Sequence, residues 1–283
     1  MSEHFRFRHE AMATLFEVTI AQPDVDRNYA GSAADAVFSE IDRLEEELSR
    51  YRSTSDIWRI SQLKAGESAT VGLAAWDCLS MAKAVHLETG GAFDITIGPL
   101  MNLWRNEDGS PRQPDEEDMR WARDHVGSHL FELDPDGLRV IARADNIVYD
   151  LGAVGKGYAL DQCVSVLDDW SISHALLKAG DSTILGIGAP SGDPGWVVTL
   201  GGDQSKVVRL KDRAISSSGF AVKGAHIMDP RTFRPAPVRE VRTYASAPTA
   251  ALSDALSTAF MLMDEEAVSA LCRKHPGVEA IVL

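Results

Sequence analysis

The stretch YDLGAVGKGYALDQ, Tyr149 to Gln162, combines a carboxylate, three glycines and one lysine with the start of a helical pattern. Residues 147–150 have the pattern of a strand end, and apolar residues recur with helical spacing from 154 to 170. One face of that helix carries Ala159, Cys163, Val166 and Trp170. The stretch therefore predicts a strand that ends at Asp150, a tight glycine turn, and a helix whose first N–H groups could face an anion.

Two standard phosphate-binding loops do not fit this stretch. In a Walker A loop, G-x-x-x-x-G-K-S/T, Asp150 would replace the first glycine and Gly157 the hydroxyl residue. In a dinucleotide-binding G-x-G-x-x-G, Leu160 would replace the third glycine. The motif alone leaves two interpretations, a specialised phosphate site or an ordinary strand-to-helix turn inside a core.

The composition of the chain limits the function classes. With 45% hydrophobic and 25% charged residues among 283, it is typical of a soluble globular protein. Asp and Glu number 42 against 28 Lys and Arg, a formal charge of -14, so no nucleic-acid partner is expected. The same charge repels anionic ligands at long range, so a phosphate site would need local cations.

Cysteine usage and apolar runs bear on the compartment. Cys78, Cys163 and Cys272 form neither an even disulfide framework nor a C-x-x-C pair. The first twenty residues have no apolar signal core, and no later run is long enough to span a bilayer. The sequence therefore predicts a cytoplasmic protein without membrane insertion, unless an export signal has been removed.

Helical and strand patterns are mixed along the chain. The predicted helices are 30–51, 73–88, 154–170, 249–263 and 265–274. The predicted strands are 14–20, 129–133, 138–142, 147–150, 175–178, 184–187, 196–200, 206–210, 214–217 and 278–283. Runs of strands with interspersed helices predict an α+β fold, and without repeats or a low-complexity linker we expect one domain over residues 1–283.

A second segment, ALSDALSTAF, contains a candidate cation site. Asp254 and Thr258 are four residues apart on a predicted helix, so their oxygens project from one face. The neighbouring stripe is small, with Ala251, Ala255 and Ala259. A carboxylate and a hydroxyl one turn apart suit a hard cation such as Mg²⁺. For an isolated D-x-x-x-T, a polar flank of an amphipathic helix remains the simpler interpretation.

Three further clusters carry polar groups that packing alone explains poorly. TGGAFDITIGPL places Asp94 among apolar residues after a glycine pair, and SSSGFAVKGAHIMDP contains His226. LSRYR places Tyr51 and Arg52 at the end of an acidic helix. Each cluster taken alone also has a structural interpretation.

Taken in order, these segments resemble the ApbE-type FAD:protein FMN transferases. The successive blocks are MAT, LSRYRSTSDIWRIS, TGGAFDITIGPLMNLW, YDLGAVGKGYALDQ, LLKAGDSTILGIG, SSSG, HIMDPRTFRP and APTAALSDALSTAF. They run from residue 12 to residue 263, nearly the whole chain. The resemblance implies one flavin transferase domain of mostly antiparallel sheets with packed helices, and an active site in a cleft between two lobes.

The resemblance also implies a reaction and a set of site residues. Such enzymes use Mg²⁺ to split FAD at its pyrophosphate, attach FMN to a threonine or serine of a partner flavoprotein, and release AMP. By similarity, the FAD site would be lined by Met12, Tyr51, Ala92, Phe93, Asp94, Asp150, Lys156 and Ile227. Mg²⁺ would be held by Asp254, Thr258 and the backbone oxygen of Ala153. His226 would sit near the reacting phosphate.

Roles within that site stay open at several points. Asp150, Asp181 and His226 are all candidates for the base, while Lys156 and the turn at 152–157 would stabilise phosphate charge. Tyr51 and Phe93 would offer aromatic surface to the flavin or adenine rings.

The chain departs from the family pattern at two positions. Ala179 stands where the family usually has a glycine, and Phe233 where it has a turn glycine. The Ala179 methyl group would keep other backbone segments farther away than a glycine would. The loop after Pro230 could take another shape. Mg²⁺-dependent FAD hydrolysis and non-catalytic FAD binding are the alternatives to FMN transfer.

Overall fold

The computed structural model describes residues 4–106, 108, 110–201, 205–219, 227–238 and 241–283. Its α-helices are α1 (Arg27–Leu48), α2 (Asp56–Ser61), α3 (Leu73–Glu88), α4 (Gly98–Leu103), α5 (Glu116–His125), α6 (Gly155–Asp169), α7 (Ala250–Phe260) and α8 (Glu265–Lys274). Its strands are β1 (Phe5–Ala11), β2 (Thr14–Ile20), β3 (Ser68–Thr70), β4 (Phe131–Asp134), β5 (Arg139–Ala142), β6 (Ala175–Ala179), β7 (Thr183–Ile187), β8 (Trp196–Leu200), β9 (Lys206–Leu210), β10 (Arg213–Gly219), β11 (Met228–Asp229), β12 (Arg234–Pro235), β13 (Arg242–Ala247) and β14 (Glu279–Val282).

A seven-stranded sheet organises the described residues. Its order is β1-β2-β6-β7-β10-β13-β14, and every neighbouring pair is antiparallel. Sequential strands β1–β2 and β6–β7 form hairpins, whereas the β2–β6 and β7–β10 neighbours are joined through other elements. Helices and antiparallel sheets in one structure confirm the predicted α+β class.

One face of this sheet is covered by helices. α7 packs on β10 and β13, α6 packs on α7 and α1, and α3 contacts both α1 and α7. On α7, Ala251, Ala255 and Ala259 are fully buried, and their small side chains let neighbouring backbone approach. On α1, Ile41 and Leu44 are buried, and each such side chain contributes about 1.5–3 kcal/mol relative to exposure.

The opposite face is covered by the β8–β9 hairpin. Trp196, Val198 and Leu200 alternate inward along β8 and pack on Ile215 and Tyr244 of the large sheet. Because successive strand residues point to opposite faces, Ser216 and Ser218 face α7 while Ile215 faces the hairpin. The large sheet is therefore apolar toward the hairpin and hydroxyl-rich beneath α7.

The predicted strand at 147–150 is wrong. These residues belong to no sheet, and the N–H of Asp150 donates to the carbonyl oxygen of Ile95 at 2.6 Å. The Tyr149 ring is fully buried against Phe131, with ring centres 5.2 Å apart. Burial between two other segments gives this stretch a strand-like apolar pattern without a strand partner.

Among the residues with a described structure, no helix is long and apolar enough to cross a membrane. The cytoplasmic location, the single-domain boundary and the two-lobed cleft stay predictions of the sequence.

Candidate active site

The site is built on a backbone contact between α6 and α7. A Cβ atom at Gly157 would lie 2.3 Å from the carbonyl oxygen of Ala250 and 2.7 Å from the Cα of Ala251. Backbone atoms cannot yield to such a clash as a flexible side chain can, so only glycine fits here. One turn further along α6, Asp161 accepts hydrogen bonds from the N–H groups of Ala250 and Ala251, at 2.7 and 2.8 Å.

This contact brings Lys156 to Asp254. The Lys156 ammonium lies 3.4 Å from Oδ2 of Asp254 and also donates to the carbonyl of Gly152. Thr183 Oγ1 donates to Oδ1 of Asp254 at 3.3 Å. Asp254 is only 4% exposed, yet both contacts are longer than the 2.7–2.9 Å typical of charge-assisted hydrogen bonds. The carboxylate therefore retains capacity to bind a cation.

Thr258 lies one turn beyond Asp254, above a layer of hydroxyl groups. Its Oγ1 is 3.1 Å from Oγ of Ser218, which is 3.0 Å from Oγ of Ser257. Thr243 of β13 donates to the carbonyl of Ser257 at 2.9 Å. Both predicted side-chain ligands of the metal thus lie on the α7 face that meets the polar side of the sheet.

A second group of charged and aromatic residues surrounds the glycine turn. Asp150 accepts from the N–H of Gly152 at 2.8 Å and lies 3.3 Å from Nη1 of Arg50. The Arg50 guanidinium stacks on the Tyr51 ring, 4.7 Å from its centre, and donates to the Tyr51 hydroxyl at 2.6 Å. Tyr51 is 80% exposed, so its ring is available to a planar ligand. Ala153, partly buried, completes this turn.

The glycine turn connects the Lys156–Asp254 pair with the group around Asp150. Gly152 donates its N–H to Asp150, and its carbonyl accepts from Lys156, which in turn reaches Asp254. The structure therefore joins three of the predicted site residues, Asp150, Lys156 and Asp254, in one hydrogen-bonded series. Arg50 is a residue that the sequence analysis missed, although its neighbours Tyr51 and Arg52 were singled out.

Asp94 is buried in a hydrogen-bonding arrangement that uses both of its oxygens. Oδ1 accepts from the N–H and hydroxyl of Thr96, and Oδ2 accepts from the N–H of Ser128 and lies 3.2 Å from Nδ1 of His86. The same His86 Nδ1 is 2.9 Å from the carbonyl oxygen of Phe93. Burial acts to raise the pKa of Asp94, but the hydrogen bonds from His86 and Thr96 outweigh it and hold that pKa below its ordinary value. The hydrogen bond with Asp94 raises the pKa of His86.

This pair predicts a pH-dependent stability. Stabilisation from His86 is present below its ordinary pKa of 6.5 and is lost as pH rises through its raised value. Stabilisation from Asp94 is present above its ordinary pKa of 3.8 and is lost as pH falls through its lowered value. His86→Gln should therefore lower the free energy of unfolding by about 1–2 kcal/mol more at pH 5.5 than at pH 8.5, as expected for a hydrogen bond to a charged group.

Urea unfolding at the two pH values measures this difference. The matched control is His129→Gln, the same substitution at an exposed histidine, whose effect on the free energy of unfolding is subtracted at each pH. A His86→Gln effect that is the same at pH 5.5 and 8.5 would show that the pair is not ionised as described.

Met12 lies at a strained turn. Met12 and Ala13, with φ of 49° and 56°, form the two-residue loop of the β1–β2 hairpin, where positive φ usually selects Asn or Gly. Gly180 packs beside this hairpin, since its N–H donates to the carbonyl of Leu15 at 2.8 Å and a Cβ there would lie 2.5 Å from Oγ1 of Thr14. Strain of this kind is concentrated at ligand-binding sites.

A surface depression of about 470 Å³ lies over the Met12 turn, lined by residues 10–15 and Glu45. Asp181, a predicted candidate for the base, is exposed in the adjacent β6–β7 loop, and Ala179 is fully buried before it. Thr183, which follows this loop, is the residue that bonds Asp254. The loop therefore connects the Met12 turn with the carboxylate of α7.

The other predicted site residues are less accessible. Ala92 is buried, and Phe93 is 4% exposed within the main core, so the proposed contact of its ring with FAD stays a prediction. Ile227 is buried with Ala236 and Met261. His226 lies outside the described residues.

Phe233 takes a left-handed conformation, as a glycine at a turn commonly does. Its φ is 58°, its N–H donates to the carbonyl of Asp229 at 2.9 Å, and its carbonyl accepts from Nε1 of Trp104 at 3.0 Å. These hydrogen bonds hold a backbone conformation that costs a non-glycine residue roughly 1–2 kcal/mol.

The donor set around α7 fits a hard cation. Within the described ranges, no group of three or more His, Cys, Asp and Glu side chains could hold a metal ion. Asp254 and Thr258 offer a carboxylate and a hydroxyl oxygen one turn apart on α7, and the buried Asp254 carboxylate has only long contacts. The carbonyl oxygen of Ala153 stays a predicted third ligand. Mg²⁺ takes oxygen ligands and is usually held by one or two carboxylates together with substrate phosphates.

Comparisons with known proteins identify the family of this chain. The family model described as the ApbE family matches residues 12–282. A relative from Escherichia coli, named FAD:protein FMN transferase, is 26% identical over 94% of this chain and 80% of its own length. A relative of the same name from Vibrio cholerae is 28% identical, with 94% and 83% covered.

Solved structures give the same result for the fold. The flavin transferase ApbE from Vibrio cholerae superposes with a TM-score of 0.83 at 24% identity, covering 99% of this chain and 93% of that one. The ApbE protein from Thermotoga maritima gives a TM-score of 0.84 at 26% identity, covering 99% and 94%. Because the family model spans nearly the whole chain, this protein belongs to the ApbE family.

Proposed function

We propose that this protein transfers FMN from FAD to a threonine or serine hydroxyl of a flavoprotein and releases AMP. The observation that carries the proposal is the α6–α7 junction, where the Lys156 ammonium and the start of α6 meet the buried carboxylate of Asp254. Membership of the ApbE family supports it, since relatives across nearly the whole chain are named FAD:protein FMN transferases.

We assign a Mg²⁺ site to Asp254, Thr258 and the backbone oxygen of Ala153. When bound, the ion would neutralise negative charge on the pyrophosphate of FAD and polarise the bond that breaks. A local cation also offsets the repulsion that a chain of formal charge -14 exerts on a phosphate ligand.

The protein's own groups would bind and orient FAD. The Lys156 ammonium and the free N–H groups at the start of α6 suit phosphate oxygens, because both present positive charge in fixed positions. The exposed Tyr51 ring, held by Arg50, suits a flavin or adenine ring. The remaining residues proposed to line the FAD site are Met12, Ala92, Phe93, Asp94, Asp150 and Ile227.

The transfer requires a base. The acceptor hydroxyl oxygen forms a bond to the phosphorus of the FMN half, the bond from that phosphorus to the bridging oxygen breaks, and AMP leaves with that oxygen. The hydroxyl proton passes to a base, for which Asp150, Asp181 and His226 remain the candidates. Asp150 is tied to Arg50 and Gly152, whereas Asp181 is exposed beside the Met12 turn.

Chromatography of the nucleotides tests this proposal. The protein is incubated with FAD and Mg²⁺, with and without a flavoprotein domain that carries an acceptor threonine. Transfer predicts AMP in amounts equal to the acceptor consumed, with little free FMN. Free FMN and AMP without acceptor would indicate a hydrolase, and intact FAD in both reactions would contradict the proposal.

A further inference from the structure

The first turn of α7 is capped by two different elements. The Thr249 side chain accepts from the N–H of Leu252 at 3.3 Å, and the Thr249 carbonyl accepts from the N–H of Ser253 at 3.1 Å. A helix leaves its first N–H groups without intrahelical partners, so those of Ala250 and Ala251 also need acceptors. Asp161 of α6 supplies both, with one carboxylate oxygen for each.

Asp161 acts between helices in a way that Thr249 does not. Thr249 belongs to the chain that enters α7, so its hydrogen bonds move with that helix. Asp161 lies on α6, one turn beyond Gly157, and its two hydrogen bonds fix where α7 begins relative to α6. Gly157 permits the close approach but has no side chain that could define the position.

The position of α7 controls the spacing of the candidate cation site. Asp254 and Thr258 lie one and two turns beyond the capped N–H groups, while Lys156 precedes Gly157 on α6. A shift of α7 along α6 would change the 3.4 Å separation of Lys156 and Asp254. Burial raises the pKa of Asp161 to about 6, although the hydrogen bonds from the N–H groups of Ala251 and Ala250 act to lower it.

We propose that Asp161 is a positioning residue, which holds α7 in register with α6 and so sets the geometry of the cation site on Asp254 and Thr258. This inference rests on the proposed function for the identity of the site. It assigns Asp161 no contact with substrate or cation.

Direct binding of Mn²⁺, used as a paramagnetic substitute for Mg²⁺, tests the inference without an activity assay. Free Mn²⁺ is measured by electron paramagnetic resonance during titration of the whole protein. Asp161→Asn keeps the size of the side chain but replaces one acceptor with a donor. It should weaken Mn²⁺ binding about 10–100-fold, the usual effect of removing a group that orients a metal ligand.

Two controls separate positioning from helix capping. Thr249→Ala removes a cap from the same turn and should cost about 1 kcal/mol of stability, yet leave Mn²⁺ affinity within about twofold. Asp168→Asn makes the same change of charge at an exposed position of α6 and should change neither property. Urea unfolding of each variant shows whether it is folded.

A second variant covers the case in which Asp161→Asn does not fold. Asp161→Glu keeps the charge and both acceptor oxygens but is one methylene longer, so it should displace α7 and weaken Mn²⁺ binding at least severalfold. Wild-type Mn²⁺ affinity in either folded Asp161 variant, or an equal loss of affinity in Thr249→Ala, would overturn the positioning role of Asp161. The cation site itself would stand. Absence of Mn²⁺ binding by the wild-type protein would overturn the cation site as well.

Discussion

Asp254→Ala is expected to lower the rate of FMN transfer at least about a hundredfold. The substitution removes the one carboxylate of the proposed cation site and the partner of Lys156. Removing a single preorganised charged or dipolar group at a transition state typically costs two to three orders of magnitude in rate. The loss should persist at saturating FAD, because the missing interaction concerns the reacting phosphate and not the FAD rings.

Release of AMP in the presence of an acceptor domain measures this rate. Glu266→Ala, at an exposed carboxylate of α8, is the matched control and should behave as wild type. Circular dichroism of Asp254→Ala should show a folded protein, since Thr183 and Lys156 keep other neighbours. A folded Asp254→Ala variant with a rate within tenfold of wild type would contradict the assignment.

Gly157→Ala is expected to destabilise the protein by about 3 kcal/mol, at the upper end of the usual cost of overpacking a well-packed interior. The added Cβ would lie 2.3 Å from the carbonyl oxygen of Ala250, and backbone atoms on both sides leave no flexible group to move. The strain can be relieved only if α6 and α7 separate. We therefore expect weaker FMN transfer as well as lower stability.

Gly155→Ala on the same helix is the matched control. Its added Cβ would meet only the Cβ of Leu151, at an ordinary 3.6 Å, so the helical preference for alanine should leave stability unchanged or raised by up to about 1 kcal/mol. Urea unfolding of both variants gives the comparison. Equal stability of the two variants would show that α6 and α7 are not in backbone contact at Gly157.

Local patterns predicted much of the fold. The predicted helices at 73–88 and 265–274 coincide with α3 and α8, and the predicted strands at 14–20, 196–200 and 206–210 coincide with β2, β8 and β9. β8 alternates between buried and exposed residues, which is the pattern that periodicity detects, whereas the glycine pair at 90–91 indicated where α3 ends.

The analysis of periodicity failed for segments in which burial and polarity do not follow the usual pattern. β13, with the sequence RTYASA, was missed because its buried residues include hydroxyl groups, with Thr243 donating to the Ser257 carbonyl of α7 and Ser246 to the Ala214 carbonyl of β10. The opposite error occurred at 147–150, where an apolar segment is buried without a strand partner. Both errors have a tertiary cause. In β13, hydrogen bonds of hydroxyl groups stand where apolar packing is usual, and at 147–150 burial occurs without pairing to another strand.

Some residues of the candidate site were likewise predicted from the sequence, and others were missed. Spacing on one helix was enough to pair Asp254 with Thr258, since four residues bring two side chains to one face. Asp161, Arg50 and Thr183 were not singled out, because their partners lie 89, 100 and 71 positions away in the chain. A signal for Asp161 was present, since it stands one turn after Gly157 in the opening stretch.

The most direct test of the proposed function is the intact mass of an acceptor. A flavoprotein domain that carries an acceptor threonine is incubated with this protein, FAD and Mg²⁺, and a matched domain with that threonine replaced by alanine is treated in parallel. FMN transfer predicts that the threonine domain gains the mass of one FMN linked as a phosphoester, while the alanine domain is unchanged. An unchanged threonine domain in a reaction that consumes FAD would contradict the account.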